Sequence, residues 1–343
     1  GAGSDTFVFD SAPNATNNLD RITDFVSGTD KFQFSKAIFT KLGPIGALSI
    51  NEFYAAAGAV RGIDTLDRVI YNTTTGALYY DADGSGNVSV TNSGSITATA
   101  TGDYGDAYGI YAGTENEGDV TVTNTGSILA ETSGYGADAH GIYAYSDDGS
   151  DIIVSNGQYG SITVNATGNQ GFAVGIEVEN DDSDNYGSTV SITNNGTVTV
   201  GTTGYSSNAN GIWTHGGGVH DADVTITNNG SFNVTTTGVY SDAWGIEVDD
   251  IRGDTLVSVT NNGDVTVAAS YGDAFGIQTE TFGFETNTNI TSNGDLTVST
   301  GGNSVAIGIG AYAYNSGYGD ITVTNTANGY VDVSSAYGSA AGI

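Results

Sequence analysis

Two histidines five residues apart, His215 and His220, share the stretch "THGGGVHDAD" with Asp221 and Asp223. Imidazole nitrogens and carboxylate oxygens are metal-ligand types, but this spacing on a glycine loop matches no established ligand geometry, and a polar surface loop is the simpler reading. Asp81 and Asp83, two residues apart and followed by Gly84 in "DADGSG", have the pattern that opens calcium loops, where hard oxygens converge because glycine permits the turn. No Glu follows at the distance that closes a loop of about twelve residues, and an Asp-Gly turn accounts for the same residues equally well. The chain carries 39 acidic residues, so pairs of carboxylates suited to glycoside hydrolysis arise by chance alone. Lyase chemistry wants a positioned cation or base, and beyond residue 69 the only Lys or Arg is Arg252. No nucleophile elbow or phosphate loop is present. The chemistry-bearing residues form no catalytic set, and the chain reads as something other than an enzyme.

The balance of charge narrows the partners. Seven Lys and Arg stand against 39 Asp and Glu, a net charge of -32. Phosphate recognition needs clustered Lys and Arg, so nucleic acid and anionic lipid are poor partners for this surface. Divalent cations suit such a surface, and so does simple dispersal by self-repulsion. Cysteine is absent, which rules out disulfides and thiolate metal sites. Methionine is absent as well, so the expectation is a fragment or processed product. No signal peptide is visible, and no apolar run reaches the length of a membrane-spanning helix.

What positions these residues is a repeat. Ala-x-Gly-Ile recurs eight times, with its glycine at 109, 141, 175, 211, 245, 276, 308 and 342, while x is Tyr, His, Val, Asn, Trp, Phe, Ile or Ala. A second marker runs beside it, as in "VSVTNSGSITA" (88–98), "VSITNNGTVTV" (190–200) and "VSVTNNGDVTV" (257–267). Within it, Val88, Val90 and Asn92 share one face, and Ile96 and Ala98 alternate with Thr97 and Thr99, which is the period of a strand. Thr, Val, Ile and Tyr suit strands by packing, and the Ala, Leu, Glu and Lys of helical repeats are scarce. Three short strands in about 33 residues make one coil of a parallel β-helix. The expectation is an all-β chain: a solenoid of about eight three-strand coils over 87–343 and a separate, irregular, β-rich region with a short helix over 1–86.

Stacking explains the fixed motif. Ala and Ile point inward onto copies of themselves, Gly lies where the in-out phase changes, and x points outward and is free to vary. His140 occupies an x position and is expected at the surface. The asparagines at 92, 124, 156, 194, 228, 261 and 325 end inward-facing runs before a turn, so their amides are expected to bond along the column, with a break where Ser292 takes the place. The longest variable stretches follow Gly-Ile, as in "EVENDDSDNYGST" (177–189), and would gather acids with Tyr143, Tyr145, Tyr186 and Trp213 on one face.

The first region supplies a different clue. "GAGSDTFVF" (1–9) has the latter part of a Gly-Gly-x-Gly-x-Asp-x-apolar nonapeptide, in which Gly frees carbonyls and Asp5 offers a hard oxygen. With "LDRITDF" (19–25), "DKFQFSKAIFTKLG" (30–43) and "DRVIYNTTTGALYYDADGSG" (67–86), it resembles the haemolysin-type calcium-binding (RTX) segment of bacterial exoproteins exported by type I secretion. That resemblance covers most of 1–86 and implies an RTX-like domain with Ca2+ as its ion and Asp20 and Asp24 as further ligands. In that family the segment stands near the C-terminus; here repeats follow it. The repeats resemble β-helix passengers of autotransporter-like surface proteins in repeat type alone. "LSINEFYAAAG" (48–58) offers a short helix with Ser49 and Glu52 as a capping box.

These readings converge on a secreted bacterial structural or adhesive protein, extracellular or on the cell surface. The sequence breaks off within a coil at Gly342-Ile343, so homo-oligomers or filaments by end-to-end or lateral packing are expected. A glycan or cell-surface ligand is a further expected partner. A β-helix carbohydrate-active enzyme or glycan-binding module is the alternative.

Overall fold

The computed structural model describes residues 3–11, 22, 26, 28–57, 66–80, 87–114, 118–146, 150–181, 188–216, 222–252, 255–282, 286–314 and 319–343. The chain divides into two units, Gly1–Gly86 and Asn87–Ile343.

In the first unit, strands Thr6–Phe9 and Lys31–Phe34 pair in parallel. A second sheet sets Phe53–Ala56 parallel to Val69–Asn72, which pairs antiparallel with Leu78–Tyr80. Phe39, Leu42 and Val69 form a small core, with Phe9 and Phe34 packed against it. The Ser49–Glu52 capping box is present in both halves, but it caps a single 3-10 turn, Ile50–Glu52. The expected helix stops there because Phe53 and Tyr54, aromatic residues suited to a pleated surface, continue as a strand against Val69 and Ile70.

The second unit is a parallel β-solenoid. Each coil contributes one strand to each of three eight-stranded sheets. The first coil supplies Val88–Asn92, Ser95–Ala100 and Ala107–Thr114; the last supplies Ile321–Asn325, Val331–Ser335 and Ala340–Ala341. Almost every step is in register: Val88 lies on Val120, Ile96 on Ile128, Ala107 on Ala139. The inward columns are aliphatic and almost fully buried, with Ile142, Ile176, Ile212 and Ile246 at 0 % exposure. Each such side chain removed from water is worth about 1.5–3 kcal/mol before the entropy of ordering is set against it.

The glycine of Ala-x-Gly-Ile is required by space. A Cβ on Gly109 would lie 2.3 Å from Ile128 Cγ2 and 2.6 Å from the Gly141 carbonyl oxygen; on Gly175 the corresponding distances are 2.4 Å to Val198 and 2.5 Å to Gly211. Gly therefore faces inward beside the second sheet. Ile follows it, also buried, so two successive residues point in and the strand changes phase.

Two asparagine ladders run along the axis. The inner one takes Asn92, Asn124, Asn156, Asn194, Asn228 and Asn261, each Nδ2 donating to Oδ1 of the next at 2.8 Å. The same Oδ1 atoms accept turn N–H groups: Gly94 bonds to Asn92, Gly196 to Asn194 and Gly230 to Asn228. At Ser292 the ladder loosens to a 3.4 Å contact from Asn261, and the Ser292 hydroxyl turns to the Gly294 carbonyl. Asn325 then bonds only within its own turn, to Gly329. The outer ladder, not anticipated, links Asn293, Asn262, Asn229 and Asn195, and its donors point the opposite way along the axis.

Asp and Asn also close the corners. Asp106 Oδ1 accepts the N–H of Asp138, Asp138 accepts that of Phe172, Asn208 that of Asp242, and Asp242 that of Asp273. A side-chain oxygen of one coil thus satisfies a backbone donor of the next, which is why so many acidic residues sit at turns.

Loss of one inner rung removes the hydrogen bonds to the amides on both sides and the bond that its Oδ1 accepts from its own turn, at about 0.5–1.5 kcal/mol each. Asn194→Ala is expected to cost about 2–4 kcal/mol in denaturant unfolding, and Asn325→Ala, exposed and outside the ladder, less than about 0.5 kcal/mol. Equal effects at the two positions would contradict the ladder.

Candidate functional site

The three outer faces of the solenoid differ. The first two sheets present mainly Ser and Thr, as in Thr121, Thr123, Ser191 and Thr193 on one and Ser161, Thr163, Thr197 and Thr199 on the other. The third sheet, built from the Ala-x-Gly-Ile strands, presents aromatic rings, carboxylates, amides and two of the three histidines. Its outward positions are x, the residue after Ile, and the second residue beyond that.

At one end of the strip Tyr108 stacks on His140, centroids 4.7 Å apart and planes at 11°, with Tyr111, Tyr143 and Tyr145 in contact around them. His140 Nδ1 approaches Glu177 Oε2 to 2.6 Å, and His215 Nε2 lies 3.1 Å from Glu177 Oε1. Neither His140 Nδ1 nor Glu177 Oε2 has a hydrogen-bond partner of ordinary geometry, so the first is a contact of close approach. Trp213 packs on His215 with centroids 4.2 Å apart. Further along, Asn210 donates to Glu247, Trp244 Nε1 donates to Gln278 at 3.0 Å, and Gln278 donates to Glu280 at 2.7 Å.

Burial would raise the Glu177 carboxyl, but the two imidazoles outweigh it and hold the group below the ordinary carboxylate range. Burial works to lower His215, and Glu177, helped by Glu179 and Asp181, carries it above its ordinary value. Glu247 goes the other way: burial and then the charge of Asp249 push it up to about 8, against the Asn210 hydrogen bond. Burial, then the charge of Asp106, raises the Tyr108 hydroxyl to about 12. Two carboxyls on one face are thus shifted in opposite directions, Glu177 toward its ionised form and Glu247 toward its protonated form. Both Glu177 oxygens face imidazoles and Glu247 is tied to Asn210, so the arrangement presents a fixed surface of rings and charges.

Several expectations change here. His140 points outward as its x position requires, yet it is only 7 % exposed, because Tyr108, Tyr143 and Glu177 cover it. The x residue is therefore not free to vary: Tyr108, His140, Asn210 and Trp244 each bind a neighbour in the strip. His215 is the last residue of strand Ala209–His215, not part of a loop, and Asp223 opens the next strand, where its Oδ1 accepts the N–H of Leu256. Their expected companions His220 and Asp221 lie outside the described residues, as does Tyr186. Glu177 was not singled out as a site residue. Aligning the repeats on their glycines and reading diagonally would have found it, since His140, Glu177 and His215 occupy successive outward columns in successive coils.

Of the expected calcium ligands only Asp5 is described; Asp20, Asp24, Asp81 and Asp83 lie outside the described residues. Asp5 immediately precedes strand Thr6–Phe9 at the position that Asp30 holds before Lys31–Phe34. Asp30 accepts the N–H groups of Asp5 and Val26 at 2.9 and 2.8 Å, and these bonds hold its carboxyl below the ordinary range. Asp30 is thus a turn anchor, using its oxygens on the backbone. Among the described residues no group of three or more His, Asp or Glu is arranged to hold a metal ion.

The fold and this face define the class: a parallel β-solenoid whose third sheet carries an aromatic and acidic strip. No protein-family model, curated protein or solved structure matches this chain.

The raised Glu247 sets a pH signature. Its folded pKa, about 8, exceeds the ordinary 4.5, so its contribution is fully present below about pH 4.5 and is lost as pH rises through 8. Glu247→Gln is expected to match the parent's melting temperature at about pH 5 and to exceed it by several degrees at about pH 9. A constant difference at both pH values would show that the carboxyl is not held protonated.

Proposed function

We propose that this chain is a secreted structural and adhesive protein of a bacterial surface or extracellular matrix, non-catalytic, with the solenoid as its rod and the third face as its contact surface. The observation that carries this reading is the difference between the faces of the rod: two present mainly Ser and Thr, and on the third, rings and charges are locked together by the contacts just described. A uniform coat would serve solubility alone. A differentiated strip, held rigid by coil-to-coil hydrogen bonds, suits contact with something outside the chain.

Self-assembly belongs to the same reading. In each sheet the first and last strands pair on one side only among the described residues, and such edges are templates for further strands. End-to-end homo-oligomers or filaments follow if a second copy supplies the next coil. Calcium belongs to it through the RTX resemblance of 1–86, with Asp5, Asp20, Asp24, Asp81 and Asp83 as ligands and type I secretion as the route. The small core of that unit, about Phe39, Leu42 and Val69, gives it reason to depend on an ion.

Electron microscopy of the purified chain with calcium is expected to show filaments or end-to-end oligomers, and excess chelator is expected to lower the melting of the 1–86 unit more than that of the solenoid. Monomers at every concentration would remove assembly from the account, and an unchanged melt in chelator would remove the ion.

A further inference from the structure

The third face contains a line of charge that the rest of the strip does not neutralise. Its outermost column runs Tyr145, Glu179, His215 and Asp249 in register, and after a shift between Val248 and Ile251 it continues through Glu280 to Tyr312. Three carboxylates therefore lie between two tyrosines, with one imidazole among them. All six side chains reach solvent: Tyr312 is 37 % exposed and the others are half-buried. His215 is already paired with Glu177 of the neighbouring column. Beside the line, the Trp213 indole N–H is buried with no partner among the described residues, whereas the N–H of Trp244 is satisfied by Gln278.

The chemistry of a complementary ligand follows. Carboxylates repeating along a line with few protein cations call for a polymer carrying positive charge at a matching interval. The tyrosines call for flat apolar surfaces or cations over their faces. The interval separates the polymer classes. Glu179 and Asp249 stand two coils apart, about 9.6 Å, close to the two-residue repeat at which substituents of an extended β-1,4-linked pyranose chain return to the same side, whereas same-face side chains of an extended peptide recur about every 6.7 Å. The column's five steps span about 24 Å by the same spacing.

We propose that the outer face of the third sheet binds a polysaccharide bearing free amino groups, a glucosamine-type polymer lying along the solenoid axis. Its ammonium groups pair with Glu179, Asp249 and Glu280, and its rings seat on Tyr145 and Tyr312. The chain's net charge of -32 draws such a polycation in and repels uronic or sialic acid polymers. This assignment rests on the reading of the third face as adhesive and names its ligand.

The test is calorimetric titration of the full chain with a glucosamine hexamer at about pH 6, where the amines are protonated, beside an N-acetylglucosamine hexamer and hexalysine, with a glycan array as a parallel measurement. The glucosamine hexamer is expected to bind at least about tenfold more tightly than either comparator and to weaken about tenfold between about 0.05 and 0.5 M salt. The double variant Glu179→Gln/Asp249→Asn, checked for an unchanged melting profile and circular dichroism, is expected to lose about tenfold or more. Should that variant unfold, Tyr312→Ala near the end of the rod is the second probe, with an expected loss of about fivefold. Hexalysine binding as tightly as the sugar would overturn the polysaccharide assignment in favour of a basic peptide. Preference for the N-acetylated hexamer, or for a neutral glycan on the array, would overturn the amino-sugar assignment and leave the adhesive face standing. Binding to no glycan of any kind would overturn both.

Discussion

The whole solenoid depends on coils stacking side chain over like side chain. A slip of one residue in any sheet would turn its aliphatic column outward and bring Thr into the core. The inner asparagine ladder makes that slip costly, because each amide has one partner above and one below, and both are lost together. The glycine column imposes the same condition from the third sheet: only glycine leaves room for the Ile, Val or Phe of the second sheet and for the carbonyl of the coil beyond. Hydrophobic burial provides the driving force, and these two columns select the register in which it is collected.

That constraint also governs the outer surface. Once register is set, outward residues 31 to 38 positions apart in sequence become neighbours about 4.8 Å apart. Small changes in coil length are absorbed at the corners, where Asp and Asn oxygens accept the N–H of the next coil. The chain's acidity therefore divides in two. One part, such as Asp106, Asp138 and Asp242, is bound into the backbone of the rod; stacked on like charges and partly buried, Asp138 and Asp242 titrate above the ordinary range, chiefly because of burial. The other part, including Glu179, Asp249 and Glu280, lies on the third face and supplies its field.

Much of the fold was legible in the sequence because its columns are written in small alphabets: Ala, Gly and Ile in the third sheet, Val and Ile in the first, Asn at the turn. Even the weak rung at Ser292 showed as a change of letter. The outer asparagine ladder was less visible, since Asn195, Asn229, Asn262 and Asn293 look like ordinary turn residues. The Glu177 node was hidden for a different reason. Its members belong to three coils and three columns, so no local spacing connects them, and only the completed register does. His215 was misplaced by its glycine-rich sequel, which made a strand end resemble a loop. The 3-10 turn at Ile50–Glu52 was anticipated in its cap but not in its length, because pairing with Val69–Asn72 outweighed helical continuation.

The absence of cysteine offers a direct measurement of register. Thr163 and Thr199 face outward on adjacent strands of the second sheet and are register partners, while Asn165 lies two residues further along. Introduced in pairs and oxidised, Thr163→Cys with Thr199→Cys should cross-link, because directly stacked Cα atoms fall within the roughly 4.4–6.8 Å that a disulfide spans. Asn165→Cys with Thr199→Cys should not, since the diagonal exceeds about 7 Å. Equal cross-linking of the two pairs, or a reversed preference, would contradict coils stacked like upon like.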